Sequence, residues 1–211
     1  MKAKSFNIII SITILLVASI LGLDIYQDIQ DIQDNSIEKN ILSENKIKCQ
    51  GKEIIKWDNC TGTYSPKEGF IYSGEFKNGM MHGKGTLERK NISKYTGYFK
   101  EGFSSGQGTV SYTSGDSFEG EFKKGLAHGH GTKIYANGQK YVGRWEAGER
   151  NGQGIYTWKS GTKYTGEFKN SREHGQGIKT LADETKYIGG FKKGFPHGIL
   201  KVTYKNGATY I

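Results

Sequence analysis

The feature that most constrains this chain is a 23-residue repeat that continues without insertion or deletion from Tyr72 to the end of the sequence. A fixed period of this length indicates a repeat architecture, in which each unit packs mainly on its neighbours. Residues that recur at one position of the repeat therefore need a structural explanation before a functional one. The first position is aromatic in every unit: Tyr72, Tyr95, Phe118, Tyr141, Tyr164, Tyr187 and Tyr210.

Within each unit the apolar and glycine positions alternate with polar ones. Tyr72, Gly74 and Phe76 form one alternating set, which predicts a strand with one buried face. A glycine-containing turn over residues 78–81 and a second strand from about Gly83 to Arg89 complete the predicted unit. We therefore expect an all-β fold, an elongated twisted antiparallel β-meander preceded by an N-terminal apolar helix.

The paired glycines of the second strand have a predicted packing role. Aromatic residues of the same column lie two strands apart, roughly 10 Å at about 4.8 Å per strand. The strand between them must leave space for the rings, and residues such as Gly106 and Gly108 have no side chain. We expect both glycines of each pair to make room for rings, and the stability of the sheet to depend on neighbouring units.

The repeat resembles the MORN (membrane occupation and recognition nexus) repeat. The core of that motif reads Tyr-x-Gly-x-Phe-x-x-Gly-x-x-His-Gly-x-Gly, and Tyr72 to Gly85 match it at every fixed position. The resemblance extends over about residues 59–211 and implies a twisted sheet used for binding or scaffolding, often near membranes, without catalysis of its own. The isolated departures from the motif are Ser105 and Asn151 at the histidine position, Ser171 at the turn glycine and Leu200 at the last glycine.

The first 23 residues have the pattern of an export segment. Lys2 and Lys4 precede the nearly uninterrupted apolar run Phe6–Leu23, and acidic residues follow it. A helix of about 18 residues is roughly 27 Å long, between a signal-peptide core and a full membrane span. An uncleaved single-pass anchor and a cleaved signal peptide both fit, and both place the repeats outside the cytoplasm. A buried helix of a soluble fold is the third alternative. The predicted location is a membrane, facing the periplasm or extracellular side, or otherwise secretion.

The charge of the remaining chain is distributed unevenly. Residues 24–46 contain six acidic and two basic residues, and we interpret them as a polar linker or a short helical stalk. Residues 47–211 contain 26 basic and 15 acidic residues. Residues 47–71 are predicted to be a cysteine-containing half-repeat, and residues 72–211 six full repeats and the start of a seventh. In an exported chain Cys49 and Cys60 predict a disulfide that pins this half-repeat.

Lysines recur on the predicted outer face of the sheet. An acidic partner or an anionic lipid surface is one interpretation of this pattern, and a solvated face that resists edge pairing is the other. A glutamate column on the same strands is expected to neutralise part of the charge. The first lysine column consists of Lys77, Lys100, Lys123, Lys169 and Lys192, and the second of Lys94, Lys140, Lys163 and Lys186.

The first turn of each unit provides a second candidate contact surface. Four of its six units have an apolar residue at one position, where exposure to a partner and packing on the next turn are equally consistent with the sequence. These residues are Met80, Phe103, Leu126 and Phe195.

No catalytic motif accompanies the repeats. The Gly-x-Gly pairs lack the third glycine and the helix of a dinucleotide site. A histidine column at residues 82, 128, 174 and 197 is explained by turn capping rather than by metal binding. We therefore expect no cofactor and no metal. We also expect no nucleic-acid partner, because export removes the usual partner and the aromatic residues are committed to the buried face rather than to base stacking.

The sequence therefore predicts a non-catalytic binding or scaffold protein with a protein partner. A membrane tether that binds anionic lipid through the lysines is the alternative, and a surface hydrolase a remote one. The strand at Val202–Ile211 also suggests a homodimer through the C-terminal edge.

Overall fold

The computed structural model describes residues 47–211, which contain fourteen strands in one antiparallel sheet. Each strand pairs with the next one along the chain, so the sheet is a meander, and the predicted all-β fold is confirmed. The strands are β1 (Cys60–Lys67), β2 (Phe70–Lys77), β3 (Met80–Arg89), β4 (Ser93–Lys100), β5 (Phe103–Tyr112), β6 (Ser117–Lys123), β7 (Leu126–Ile134), β8 (Lys140–Glu146), β9 (Glu149–Thr157), β10 (Lys163–Lys169), β11 (Arg172–Thr180), β12 (Lys186–Lys192), β13 (Phe195–Thr203) and β14 (Thr209–Tyr210).

The predicted N-terminal helix and the predicted linker lie outside the described residues. Within residues 47–211, no helix is both long enough and apolar enough to cross a membrane. Residues 48–211 form one compact unit that contains the whole sheet and all its described core. We therefore expect this part of the chain to fold without the residues that precede it.

The first turn of each unit is shorter than the sequence suggested. In the first unit only Asn78 and Gly79 lie between the strands, and both have left-handed backbone angles, with φ of 51° and 71°. Met81 and His82 are already paired with Phe76 and Glu75, so the predicted turn over residues 78–81 was too long. A two-residue turn with two positive φ angles matches the twist of the flanking strands, which explains its selection here.

One face of the sheet has a continuous ladder of aromatic rings, and we call it the ring face. Tyr72 contacts Phe76 of its own strand at 5.1 Å between ring centroids and Phe99 of the next unit at 4.9 Å. Both contacts are edge-to-face, the arrangement that aromatic rings favour. The same alternation continues through successive units to Tyr164 and Phe191. A sheet of one layer thus buries apolar surface by packing rings along its own length.

The second glycine of each pair lies under a ring, as predicted. A Cβ atom on Gly85 would lie 2.4 Å from the Tyr72 hydroxyl oxygen and 2.6 Å from the ring carbons. The first glycine has another role, so the prediction that both make room for rings was wrong for it. Gly83 has a φ of 56° and follows a register shift opposite Gly74 and Glu75, which makes it part of a β-bulge.

The histidine column lies in the strands beside these bulges, so the predicted turn capping was wrong in its location. His82 belongs to β3, and its backbone carbonyl accepts a hydrogen bond from the Tyr72 hydroxyl at 3.2 Å. The carbonyl of His174 receives the Tyr164 hydroxyl in the same way at 3.0 Å. The buried tyrosine hydroxyl is therefore satisfied by backbone, which removes the cost of burying it.

The first strand is covered by the residues that precede it. Cys49 and Cys60 form the predicted disulfide, and Lys48 bridges Thr61 of β1. Trp57 packs edge-to-face on Phe76 at 4.8 Å between centroids and is buried. Trp57 thus provides for β1 the ring that a full repeat would provide, because the half-repeat has no aromatic strand of its own before it.

Candidate binding surfaces

The face opposite the rings presents the two predicted lysine columns, and we call it the lysine face. All nine lysines are exposed. Within residues 47–211, none of the nine forms an ion pair within 4 Å. Glu146 interrupts the first column in the fourth unit. The two columns lie at opposite ends of the same strands and extend across most of the repeats.

The glutamates of the lysine face bind backbone at the bulges. The Glu75 carboxylate accepts a hydrogen bond from the Lys84 N–H at 3.0 Å, and the Glu121 carboxylate accepts one from the His130 N–H at 2.8 Å. This charge-assisted contact holds each carboxylate over the bulge. The glutamate column therefore has a structural role in the repeat, which the sequence pattern alone did not reveal.

The apolar residues of the first turns are exposed along one rim, and we call them the turn strip. The exposed fractions of the side chains of Met80, Phe103, Leu126 and Phe195 are 41%, 56%, 50% and 73%. Phe103 and Leu126 also lean towards Gly125 and Gly148 of the following turns. For Phe103 and Leu126 both predicted interpretations therefore apply, since each side chain lies near the next turn and still presents apolar surface to solvent.

The ring face changes character along the repeat, and the sequence analysis missed this change. Beside the rings, the first two units place Leu87 and Val110, both buried. The third and fifth units place Lys133 and Lys179 at the same repeat position. At a second flanking position, Met81 of the first unit is replaced by Arg150 in the fourth. The signal in the sequence was a cation at positions where the first unit has an apolar residue.

Two of these cations line a groove of about 340 Å³ on the ring face, which we call the basic groove. Its cations are Lys133 and Arg150, and its walls are largely aromatic and aliphatic. Apolar walls with a few converging polar groups are the usual composition of a ligand site. The residues that line the groove include Tyr112, Phe122, Leu126, Lys133, Tyr135, Trp145, Arg150 and Ser171.

Arg150 has no carboxylate partner within 4 Å among residues 47–211. Its guanidinium carbon lies 4.7 Å from the centre of the Tyr156 ring and 5.6 Å from those of Tyr141 and Phe168. Burial raises the pKa of Tyr141 to about 12, and the charge of Arg150 acts in the opposite direction. The guanidinium is therefore held by ring faces, which attract cations through their quadrupoles.

Ser171 fixes Arg150 from the next turn. The Ser171 carbonyl accepts a hydrogen bond from the Arg150 guanidinium, and its hydroxyl accepts one from the Arg150 N–H at 3.1 Å. Ser171 occupies the position of the turn glycine and has a φ of 62°, a conformation that is unfavourable for a residue with a Cβ. The replacement of the turn glycine by Ser171 and the presence of Arg150 at its position are therefore linked through these two hydrogen bonds.

Lys133 differs from Arg150 because it has a carboxylate partner. Its ammonium lies 3.3 Å from Asp116 and 4.8 Å from the centre of the Tyr112 ring. The Ala136 N–H, and then Lys133, lower the pKa of the Asp116 carboxyl, which therefore stays ionised at neutral pH. Farther along the ring face, Lys179 binds the buried Glu173 in the same manner. Of these three cations, Arg150 alone has no carboxylate partner within the described part of the chain.

Residues 47–211 contain no group of three or more His, Cys, Asp or Glu side chains arranged to hold a metal ion. The histidines in the repeat column lie on separate strands, one or two units apart. The described surfaces present cations, aromatic rings and exposed aliphatic groups.

A single-layer meander with an aromatic ladder and exposed surfaces on both faces defines this molecule as a repeat-sheet protein of the binding type. The family comparison gives this class its name. The MORN-repeat family model matches residues 72–91, 95–117, 118–140, 141–163, 164–186 and 187–209, more than half of the chain. The chain belongs to the MORN-repeat family, and the predicted resemblance is confirmed.

Two further comparisons complete this picture. A search of curated protein sequences found no match. Among solved structures, the chain is similar to the SAS-4 (dCPAP) TCP domain of Drosophila melanogaster, solved in complex with a proline-rich motif of Ana2 (dSTIL). The two chains are 12% identical, with a TM-score of 0.42 over 71% of this chain and 87% of that one.

Proposed function

We propose that this protein is a non-catalytic scaffold that is exported, held at a membrane by residues 6–23, and binds a protein partner along the turn strip. The observation that supports the partner is the row of apolar side chains on one rim, which reach 73% exposure at Phe195. Exposed apolar residues aligned on one surface are typical of interaction sites. The apolar segment and the positive charge before it support the anchor and its orientation.

Photo-crosslinking in the native membrane tests the partner surface. A photoreactive amino acid would replace Phe103 or Phe195 in the full chain, and Tyr98, which is 45% exposed, would be the matched control position. We expect one discrete crosslinked species from the turn strip and none from Tyr98. Equal labelling from all three positions would contradict a partner at the strip.

Membrane fractionation tests the anchor separately. We expect the full chain to sediment with membranes after a high-salt wash, because an apolar anchor is insensitive to ionic strength whereas surface charge is screened. Deleting residues 6–23 should move the protein to the soluble fraction. A full chain that is released by salt would contradict the anchor.

A second function, binding of an anionic lipid surface, is supported by the nine exposed lysines, which form no ion pair with any residue of 47–211. Each lysine near such a surface contributes about 1 kcal/mol, so several together would hold the sheet on the membrane. Co-sedimentation of residues 47–211 with neutral and anionic vesicles tests it. The variant Lys77→Glu, Lys100→Glu and Lys123→Glu should lose binding to the anionic vesicles.

The matched control for this vesicle experiment changes the same net charge elsewhere. Lys56, Lys90 and Lys205 are exposed and already form ion pairs with Glu53, Glu68 and Glu184. Changing those three lysines to glutamate should leave more binding than the triple change on the lysine face. Equal losses would show that net charge alone acts, without a specific face. The predicted homodimer through the C-terminal edge stays a prediction.

A further inference from the structure

We propose that the basic groove binds an acidic peptide segment of the partner, with one Asp or Glu carboxylate on Arg150 and an adjacent apolar side chain against the groove walls. This inference rests on the proposed scaffold function and specifies the chemistry of its partner. The groove and the turn strip are continuous, because Leu126 belongs to both. A segment that crosses the strip would therefore reach the guanidinium.

The first argument is that the sheet does not require a cation here. The first unit has Met81 at the position of Arg150, and the ring pair beside each position is equivalent, Tyr72 with Phe99 and Tyr141 with Phe168. The two surroundings differ in that Tyr156 and Ser171 of the second region replace Leu87 and Gly102 of the first. A methionine fills such a position without any desolvation of charge. A half-buried guanidinium without a carboxylate is costly to keep, and this cost is explained if a bound carboxylate completes the pair.

The second argument is that the guanidinium is pre-oriented. Three ring faces surround it, and the Ser171 carbonyl takes one of its N–H donors. Ser171 holds this carbonyl in place from a left-handed conformation that glycine adopts in the other units. Residues in unfavourable backbone conformations are concentrated at binding sites. The remaining donors of a guanidinium form a planar fork that matches a carboxylate.

The third argument selects a peptide carboxylate over a phosphate group. Lys133 is already neutralised by Asp116, which leaves one uncompensated cation in the groove. A carboxylate brings one negative charge, whereas a phosphate ester brings nearly two at neutral pH. The walls formed by Leu126, Tyr135 and Trp145 also require an apolar group beside the anion, which an acidic residue in a peptide has as its neighbour.

The volume of the groove limits the size of the bound segment. At about 340 Å³ the groove lies at the small end of ligand sites. It therefore suits one or two side chains of an extended segment rather than a folded domain. The rest of the partner is expected to lie along the turn strip.

The test is selection from a displayed library of random short peptides on residues 47–211. The wild-type protein is compared with Arg150→Met, which restores the residue of the first unit at this position. Arg144→Met is the matched control, since Arg144 lies in the same unit on the lysine face and is exposed. We expect the wild type and the control to enrich peptides in which an acidic residue adjoins an apolar one, and Arg150→Met to enrich none of them.

The best enriched peptide gives a quantitative test. Replacing its acidic residue by the amide should raise the dissociation constant by about tenfold or more on the wild type and by less than about twofold on Arg150→Met. Enrichment without acidic residues, equal losses in Arg144→Met and Arg150→Met, or the absence of any enrichment on the wild type would each overturn the proposal. Crosslinking from the turn strip that survives in Arg150→Met would show that the scaffold function stands without this groove.

Discussion

The first two units and the third to fifth units of the sheet have the same backbone and different ring-face flanks. In both regions a tyrosine or phenylalanine lies over a glycine of the next strand and contacts the ring of the following unit. Beside the rings, Leu87 and Val110 in the first region correspond to Lys133 and Lys179 in the second. The comparison shows that the rings and glycines maintain the sheet, whereas the flanking positions vary without changing it.

The charges in the second region are accommodated by local partners. Glu173 is only 5% exposed and pairs with Lys179, which also lies 4.7 Å from the centre of the Trp158 ring. Removing one member of such a pair is destabilising, but the pair as a whole adds little stability over apolar residues of similar volume. The charged flanks are therefore compatible with the fold without being required by it.

The largest expected effect concerns what the two regions share. Changing Gly85 or Gly154 to alanine would place a Cβ within 2.6 Å of ring carbons of Tyr72 or Tyr141. We expect each change to lower the free energy of unfolding by about 3 kcal/mol, because a ring and its neighbours must move. Urea denaturation followed by tryptophan fluorescence measures this quantity in both variants.

Gly138→Ala is the control for these changes. A Cβ there meets no atom within 4 Å, and only the φ of 85° is unfavourable, so we expect a loss of about 1 kcal/mol. Similar losses at all three glycines would show that backbone conformation, and not ring packing, selects glycine in the second strand.

A smaller effect is expected when the first region is given a cation of the second. In Leu87→Lys the new ammonium would replace a buried leucine, and Phe70 occupies the position that corresponds, two units earlier, to Asp116, the partner of Lys133. We expect the free energy of unfolding to fall by about 2 kcal/mol, because a cation loses hydration without gaining a carboxylate. An unchanged free energy of unfolding in urea denaturation would show that the flanking positions of both regions tolerate a cation without a carboxylate partner.

The last expected effect is a dependence of stability on alkaline pH. Burial raises the pKa of Tyr95 and of Tyr164 to about 12, above the ordinary value of 10.0. Their contribution to stability is therefore fully present below pH 10 and is lost as the pH rises towards 12, because the unfolded chain releases the proton first. We expect the unfolding midpoint in urea to decline over this window.

The variant Tyr95→Phe tests that assignment with a residue the repeat already uses, since Phe118 occupies the same position in the third unit. The variant loses the hydroxyl bond to the Tyr98 carbonyl, at a cost of about 1 kcal/mol at neutral pH. Its decline between pH 10 and 12 should be shallower than that of the wild type. An equally steep decline would assign the alkaline effect to other groups.

The period of the sequence was sufficient to predict the fold, because alternation and glycine spacing are local signals of strands and turns. The disulfide between Cys49 and Cys60 was also predictable, since the chain offers only one pair of cysteines. The bulge at Gly83 was not, because a glycine that makes room for a ring and a glycine with positive φ look the same in a sequence. The length of the turn at Asn78 and Gly79 was also overestimated, because a glycine marks a turn in a sequence without showing where the next strand begins.

The basic groove could not be predicted from the period, because it consists of departures from it. Ser171 was recognised as a missing glycine. The repeat pattern did not indicate that its hydroxyl and carbonyl accept hydrogen bonds from Arg150 of β9. Tyr112 and Tyr135 occupy the same position of successive units, so the pattern does not single them out. What distinguishes them is their contact with Lys133, whose ammonium lies over both rings. Departures from the repeat that occur in neighbouring units, as at Lys133, Arg150 and Ser171, are the sequence pattern that indicates such a groove.

The most direct test of the account is the free energy of unfolding of the variant that combines Lys133→Leu, Asp116→Ser and Arg150→Met, measured by urea denaturation at neutral pH. All three changes introduce residues that the first unit has at the same positions, Leu87, Ser93 and Met81, and they remove both members of the Lys133–Asp116 pair together. If the charged flank serves binding and not the fold, the free energy should be unchanged or higher than that of the wild type. A loss of more than about 2 kcal/mol would show that the sheet itself needs these charged residues. It would contradict the claim that the flanking positions vary without affecting the fold.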